Sequence, residues 1–332
     1  MTKKRLLSGM QPTGGGKLHL GNLEGALRPW TKLQDEYEMF CFIADWHSLT
    51  TVAEKTFDIA EASRQTAIDY LAAGLDPQKC AIFRQSDVKE HAELHLLLSM
   101  LTPVGWLERV PTYKDKRDLV KENDTQVSYG LLGYPVLMTA DIILYRAHLV
   151  PVGKDQAAHL EISREIARRF NHIAGQDVFP EPQALISEHT GELPGMDGRK
   201  MSKSYGNAIY LADTPKQTQK TINKAFTTPT KIHITDPGIP KGCVACQLRR
   251  VYDPEAFQTQ WDECRAGTRG CGQSKKEVAE IINETLAPVR ARRLELEADP
   301  GYVDRVLREG AERARQAAGE TMTLVRAALQ LG

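Results

Sequence analysis

Apolar positions in the first half of the chain alternate between two rhythms. Short apolar runs at 5–8 (RLLS), 39–45 (MFCFIAD) and 81–85 (AIFRQ) read as buried strands, and 148–152 (HLVPV) reads as a fourth. Between them lie longer stretches with helical spacing. Residues 55–73 bring Phe57, Ile59, Ile68 and Leu71 near one another, and Gly74 with Pro77 supplies a stop. Residues 156–170 line up Leu160, Ile162, Ile166 and Phe170 in another helix. This alternation predicts an α/β fold, with a Rossmann-type parallel sheet covered by helices on both faces. From about residue 207 the strand signals fade, and 214–226, 275–298 and 302–330 are helical. The expected division is a sheet-containing domain over 1–205 and a helical domain over 206–300. The last helix, about 302–332, is expected to pack back on the first domain. Residues 193–207, LPGMDGRKMSKSYGN, form a polar, glycine-rich loop at the junction.

Composition narrows the class. The 332 residues are 41% hydrophobic and 26% charged, ordinary for a globular protein. Lys+Arg and Asp+Glu both number 43, so no overall basic balance points to nucleic acid, although a local patch suffices for that. No segment approaches the ~18 consecutive apolar residues of a membrane helix. The N-terminus, MTKKRLLSGM, lacks an apolar stretch of signal-peptide length. A cytoplasmic protein with no membrane role is expected. Cys41 and Cys80 sit alone in apolar runs and read as small core residues. Cys243, Cys246, Cys264 and Cys271 are clustered as C-x2-C-x17-C-x6-C. In a cytosolic chain such a cluster points to a metal or cofactor rather than a disulfide.

The stretch GMQPTGGGKLHLGN, residues 9–22, leaves the first strand and feeds a helix that begins near Gly21. It is not a P-loop. Gln11 stands where the first glycine belongs, and Leu18 follows Lys17 where a magnesium-binding hydroxyl belongs. The better candidate is His19-x-Gly21-Asn22 at the helix mouth, where unpaired N–H groups and the dipole favour an anion. Gly14-Gly15-Gly16-Lys17 reads as a flexible cover over a nucleotide. Lys200-Met201-Ser202-Lys203-Ser204 puts two lysines and two serines on the junction loop, a cationic clamp for a leaving polyphosphate. Asp141 is an acid inside the apolar run LMTADIILY, and a buried carboxylate needs a donor. Met138, one turn back, can pack a thioether beside whatever supplies it. His91 and His95 in HAELH have zinc-ligand spacing, but no glutamate follows His91 directly, so both read as structural.

H-x-G-N followed by KMSKS resembles the class I aminoacyl-tRNA synthetases and, within them, the tryptophanyl-tRNA synthetases. The likeness extends through GMQPTG, GALRPW, ADWHSLT, LERVPTYKDK, GLLGYPVLMTADIILY and LVPVGKDQAAHLE. It implies activation of L-tryptophan by ATP with Mg2+, then transfer of tryptophan to tRNA(Trp). It also implies a homodimer and a helical domain that reads the anticodon. By position, Gln11, Pro12, Thr13, Gly21 and Asn22 would contact ATP, with His19 near its phosphates. Gly153, Lys154 and Asp155 would hold the ribose and adenine side, with Leu193 at the adenine. Lys200, Lys203 and Ser204 would follow the pyrophosphate, Met201 and Ser202 would also contact ATP, and Lys116 is a candidate further phosphate contact. Asp141 would accept from the indole N–H, beside Met138, Tyr134, Val150, His47 and Gln156.

The cysteines fit a cluster known in this family only in part. Some relatives carry a 4Fe-4S cluster on cysteines spaced x6 then x2, with a fourth upstream. Cys264 and Cys271 supply the x6 step, but Ser274 stands where the next cysteine would be. An iron–sulfur cluster, zinc or four free thiols are the three readings. The rival functions are a tyrosyl-tRNA synthetase, which shares the chemistry, and a synthetase-like paralogue with a regulatory role. A small nucleotidyltransferase would not explain KMSKS together with a second, helical domain.

Overall fold

The computed structural model describes residues 3–52, 58–111, 113–114, 117, 127–153, 157–186 and 193–331. Its centre is a five-stranded parallel sheet: β1 (Arg5–Met10), β2 (Glu38–Ile43), β3 (Cys80–Arg84), β4 (Leu149–Val152) and β5 (Gln183–Ile186). The order is β3-β2-β1-β4-β5. The chain builds outward from β1 to β3, then returns to the other side of β1 to lay down β4. That reversal opens a crevice beyond the carboxyl ends of β1 and β4, the general ligand position in such sheets.

The strands separate two apolar cores by simple alternation. Leu6, Met39, Cys41, Ile43 and Ile82 face one core, and Leu7, Phe40, Phe42, Ala81 and Phe83 face the other. The first core continues without a break into the helical part, through Ile209, Leu248, Ile282 and Leu286. β5 is the strand that periodicity misses. Its four residues, QALI, lie at the sheet edge and are at most half-buried, so no unbroken apolar run marks them.

The helices that matter to the site are few. α1 runs from Leu20–Asn22 through one π turn, Leu23–Leu27, into Arg28–Leu33. α2 is Asp45–Val52, α3 Ile59–Ala72, α4 Glu90–Leu101, α5 Tyr129–Leu144 and α6 Ala157–Ala174. The helical part comprises α7 (Pro215–Asn223), α8 (Val244–Tyr252), α9 (Pro254–Ala266) and α10 (Cys271–Ala298). Among the described residues no helix is long and apolar enough to cross a membrane.

α11 (Pro300–Ala328) covers the open edge of β3. Its first half, with Val303, Val306 and Leu307, joins one core, and its second half, with Ala314, Ala318 and Met322, joins the other. At the crossing point sits Gly310, where an added Cβ would stand 1.9 Å from the Ile82 carbonyl oxygen. Arg313 donates to the carbonyls of Pro77 (2.6 Å) and Cys80 (2.9 Å), so the edge's unpaired groups are met by a side chain. We expect Gly310→Ala to push α11 off β3 and cost about 1–3 kcal/mol, as overpacking does. Urea denaturation of the two proteins measures this, and equal stability would contradict so close an approach.

Candidate active site

The first signature is built by three elements. β1 ends at Met10, whose carbonyl accepts from Ala44 N–H (2.9 Å), and the chain turns out over the crevice through Gln11, Pro12 and Thr13. Gly14, Gly15 and Gly16 follow with φ of +59°, +72° and +77°, a backbone that side chains resist. This turn is packed rather than a loose cover. An added Cβ at Gly16 would lie 1.8 Å from the Ala62 carbonyl oxygen, and the Gly16 carbonyl accepts from Thr66 Oγ1 (2.9 Å). Lys17 is exposed. Leu18 N–H then donates to the buried Asp69 carboxylate at 2.7 Å. Residues 18–20 pair with 209–211, beyond the lysine loop: Leu20 N–H donates to Ile209 O (3.0 Å) and Leu211 N–H to Leu18 O (2.9 Å).

The segment ends in a capped helix mouth. Asn22 Oδ1 accepts from His19 N–H (3.0 Å), which fixes the entry to α1. The His19 ring lies over Gly21, where a Cβ would be 3.0 Å from it, so Gly21 leaves room for the imidazole. Burial, helped by the charge of Lys203, lowers the His19 pKa to about 4. At neutral pH the ring is therefore an uncharged donor or acceptor, and its buried Nδ1 has no hydrogen-bond partner among the described residues.

The lysine loop folds onto this segment. Lys203 Nζ donates to the Thr13 carbonyl at 2.9 Å, and its stem lies 3.2 Å from where a Gly14 Cβ would be. Burial lowers the Lys203 pKa to about 8, with Asp69 pulling the other way. Met201 and Leu193 are buried, and Met201 N–H donates to Leu193 O (2.9 Å). Ser202 N–H donates to Asn207 Oδ1 (2.8 Å), and Ser202 Oγ accepts from Ser204 N–H (3.3 Å). Lys200 and Ser204 are exposed. Gly153 lies directly after β4, across the crevice from Gln11. Lys116, Lys154, Asp155 and Gln156 lie outside the described residues.

A second polar centre lies on the inner side of α5. Asp141 is 1% exposed. Its carboxylate meets His47 Nε2 (2.8 Å), Gln85 Nε2 (2.8 and 3.0 Å) and His91 Nδ1 (2.7 Å). The His91 approach is at ion-pair distance, although Nδ1 is not aimed as a hydrogen-bond partner. Burial alone would raise the Asp141 pKa; the charge of His91 and the hydrogen bond from His47 outweigh it and bring it down to about 2. The centre is braced further. Gln85 Oε1 accepts from His47 N–H (3.3 Å), and His91 Nε2 pairs with Tyr145 Oη (2.8 Å) beside Phe42 and Phe83. Tyr134 Oη contacts His159 Nε2 (3.0 Å). Met138 is partly buried and Val150 is buried in the same core.

A cavity of about 300 Å³ opens between α2, α4 and α5. Trp46, Leu49, His95, Gly133, Tyr134 and Leu137 line it. Asp141 is not among its walls but continues the same face of α5, one turn beyond Leu137. His95 Nδ1 is buried with no hydrogen-bond partner among the described residues, and the charge of Asp141 reaches this ring.

Sequence reasoning found Asp141 and set His47 beside it, but missed its other partners. Gln85 and His91 come from the end of β3 and from α4, and HAELH gave no local sign of a carboxylate across the fold. Asp69 was also missed, although it too is an acid in an apolar helix stretch, TAIDYLAAG. The rule that singled out Asp141 applies to it equally.

The clustered cysteines lie in the helical part, where the Cys243 and Cys264 thiols each meet that of Cys246. Among the described residues no group of three or more His, Cys, Asp or Glu is arranged to hold a metal ion, and all six cysteines are free. Cys243 heads α8, and the Cys246 thiol together with the amides of that helix end lowers its pKa to about 6. Cys246 also accepts from Gln260 Nε2 (3.4 Å). At the missing fourth ligand, Ser274 accepts from Arg269 Nε (3.2 Å), and that guanidinium also pairs with Glu263 and Glu277.

Comparison with known proteins agrees with this geometry. The family model for tRNA synthetases class I (W and Y) matches residues 2–287. A tryptophan–tRNA ligase of Thermotoga maritima is 46% identical over 330 residues, spanning 98% of this chain and 99% of its own. One of Aquifex aeolicus is 42% identical over 397 aligned positions, spanning 98% and 100%. The crystal structure of tryptophanyl-tRNA synthetase from Campylobacter jejuni, complexed with ADP and tryptophan, superposes with a TM-score of 0.86 at 36% identity, covering 98% of this chain and all of that one. Nothing in these relatives favours the tyrosine alternative. The chain belongs to the class I tRNA synthetases of the tryptophan and tyrosine group, on the bacterial tryptophan–tRNA ligase branch.

Proposed function

We propose that this chain activates L-tryptophan with ATP and transfers it to tRNA(Trp) in the cytoplasm. A carboxylate oxygen of tryptophan attacks the α-phosphorus of ATP, and the bond to the bridging oxygen breaks as pyrophosphate leaves. The terminal adenosine hydroxyl of the tRNA then attacks the adenylate carbonyl, and AMP leaves. The observation that carries the reading is the contact of Lys203 with Thr13. It brings two signatures, distant in sequence, together over the switch point of the sheet.

The substrate supplies its own nucleophile, so the protein's work is positioning and electrostatics. ATP enters as its magnesium complex. Gln11, Pro12, Thr13, Gly21 and Asn22 form the cradle, and the uncharged His19 ring meets a phosphate oxygen. Gly153, Lys154 and Asp155 take the ribose, and Leu193 with Met201 the adenine. Lys200, Ser202, Lys203 and Ser204 follow the charge that develops on pyrophosphate, with Lys116 as a further contact. On the other side, Asp141 accepts the indole N–H. Met138, Tyr134, Val150, His47 and Gln156 enclose the amino acid. The carboxylate already has three protein partners, so indole entry requires one of them to yield. His47, on the oxygen nearer α2, is the one we assign to that exchange. No iron–sulfur or zinc step enters this reading.

Residues 1–205 with α11 form the catalytic unit, and 206–300 read the anticodon. The chain works as a homodimer. Leu96 and Met100, spaced i, i+4 on α4, and Val104 just beyond it are 54%, 73% and 56% exposed, which favours a covered surface. Light scattering is expected to give twice the chain mass, and Leu96→Glu with Met100→Glu the mass of one chain. A monomer before mutation would end this part of the proposal.

Asp141→Asn sets an amide against two histidines and Gln85. The expected result is a loss of at least ~100-fold in kcat/KM for tryptophan. The KM for ATP should stay within about threefold, since the two sites are separate. Pyrophosphate exchange measures both, and an equal loss for both substrates would speak against Asp141 as the indole acceptor.

The lowered pKa of Lys203 gives a pH dependence. The ammonium is present below about 8 and lost as pH rises through it. On the alkaline side, kcat/KM for ATP should therefore fall by about tenfold per pH unit. Lys203→Arg, charged throughout, should flatten that limb at some cost in rate. Lys203→Met should lower kcat by roughly 10²–10³. A wild-type limb that survives in the arginine variant would assign the titration elsewhere.

A further inference from the structure

One buried contact joins the helical part to the ATP segment. Arg293 on α10 is 3% exposed. Its guanidinium meets Asp69 Oδ1, Gln65 Oε1 (2.6 Å) and Glu297 Oε1 (2.7 Å). Asp69 is fully buried on α3, and its other oxygen accepts from Leu18 N–H at 2.7 Å. The carboxylate also sits within electrostatic reach of Lys203. It thus faces an arginine of the helical part, the amide just before His19 and the lysine of the KMSKS loop.

α3 presents this grip as one face. Ala62, Thr66 and Asp69 follow the i, i+4, i+7 spacing of a helix stripe. They meet, in the same order, Gly16 by close packing, the Gly16 carbonyl by hydrogen bond and Leu18 N–H by hydrogen bond. Residues 16–18 are therefore held at three points immediately before the helix mouth. A buried ion pair is weak evidence of stabilisation, since apolar residues often replace one without loss. Holding a particular geometry is its better-attested use.

We propose that Asp69 is a positioning residue for ATP and that Arg293 orients it, so that α10 sets the placement of the Leu18–Asn22 signature. Arg293 holds Oδ1 and leaves Oδ2 aimed at Leu18 N–H. That amide fixes His19 and, through Asn22, the start of α1. Without the guanidinium the carboxylate is a buried charge short of a partner. Rotation toward Lys203, or protonation, then releases Leu18. The tryptophan centre on α5 takes no part in this chain of contacts. The proposal rests on the reading that this segment binds ATP.

The test compares Arg293→Leu, Arg293→Lys and the double variant Asp69→Leu with Arg293→Leu. Each is measured for ATP affinity by equilibrium dialysis, for KM of ATP and tryptophan in pyrophosphate exchange, and for Tm. Arg293→Leu should weaken ATP binding about tenfold, with the tryptophan KM within about twofold. Arg293→Lys should regain part of the ATP affinity. The double variant should regain Tm, because no unpaired charge is left buried. It should keep the ATP defect, because leucine cannot accept from Leu18 N–H. Recovery of ATP affinity along with Tm in the double variant would reduce the pair to a structural role and overturn the proposal. Unchanged ATP affinity in Arg293→Leu, or equal losses for both substrates, would also overturn it. If Arg293→Leu does not fold, the lysine and double variants carry the same comparison. Wild-type protein that binds ATP but exchanges with no amino acid would count against the proposed reaction instead, and the dialysis series still decides the positioning claim.

Discussion

Parallel pairing of β1 with both β2 and β4 is the constraint on which the rest depends. It puts the chain that leaves β1 at the switch point of the sheet, over the crevice between β1 and β4. Residues 11–22 must therefore find their support elsewhere. They take it from the face of α3, through Gly16 and Leu18, and from residues 209–211 beyond the lysine loop. The two segments that meet the nucleotide in our reading are thus held to each other by backbone pairing as well as by Lys203. The glycines of the turn are explained by the same constraint: a side chain at Gly16 would collide with α3.

Burial acts on charge in opposite senses at the two centres. Around the ATP segment it wins: His19 stays neutral, Lys203 is brought down to about 8 and Asp69 is raised to about 6. Lys203 and Asp69 sit close to a change of charge at neutral pH, and His19 lies well on its uncharged side. A polyphosphate arriving there meets a site whose cation has already lost part of its hydration, which strengthens the attraction. At Asp141 burial loses, because two histidines and an amide surround one carboxylate. That group stays ionised, as an acceptor for a single N–H must.

Much of this was legible in the sequence, and the limits follow from what sequence patterns encode. Runs such as MFCFIAD carry strands because both faces are buried. QALI does not, because an edge strand keeps only part of its surface covered. Motifs of adjacent residues, HLGN and KMSKS, announced themselves. Partners contributed from across the fold did not: Gln85 and His91 reach Asp141, and Arg293 reaches Asp69, from elements that share no local pattern. The cysteines mark a different limit. Their spacing points to a metal, but spacing alone does not set the direction of a thiol, and Ser274 stands at one step of the pattern, bonded to Arg269.

The measurement that tests the central claim most directly is ATP–pyrophosphate exchange on the wild-type protein with tryptophan and tyrosine in parallel. The account predicts exchange with tryptophan, favoured over tyrosine by ~10⁴-fold or more in kcat/KM, since a site built around one indole N–H leaves Asp141 unanswered by any analogue that lacks it. Exchange with tyrosine alone, or with neither amino acid, would contradict it.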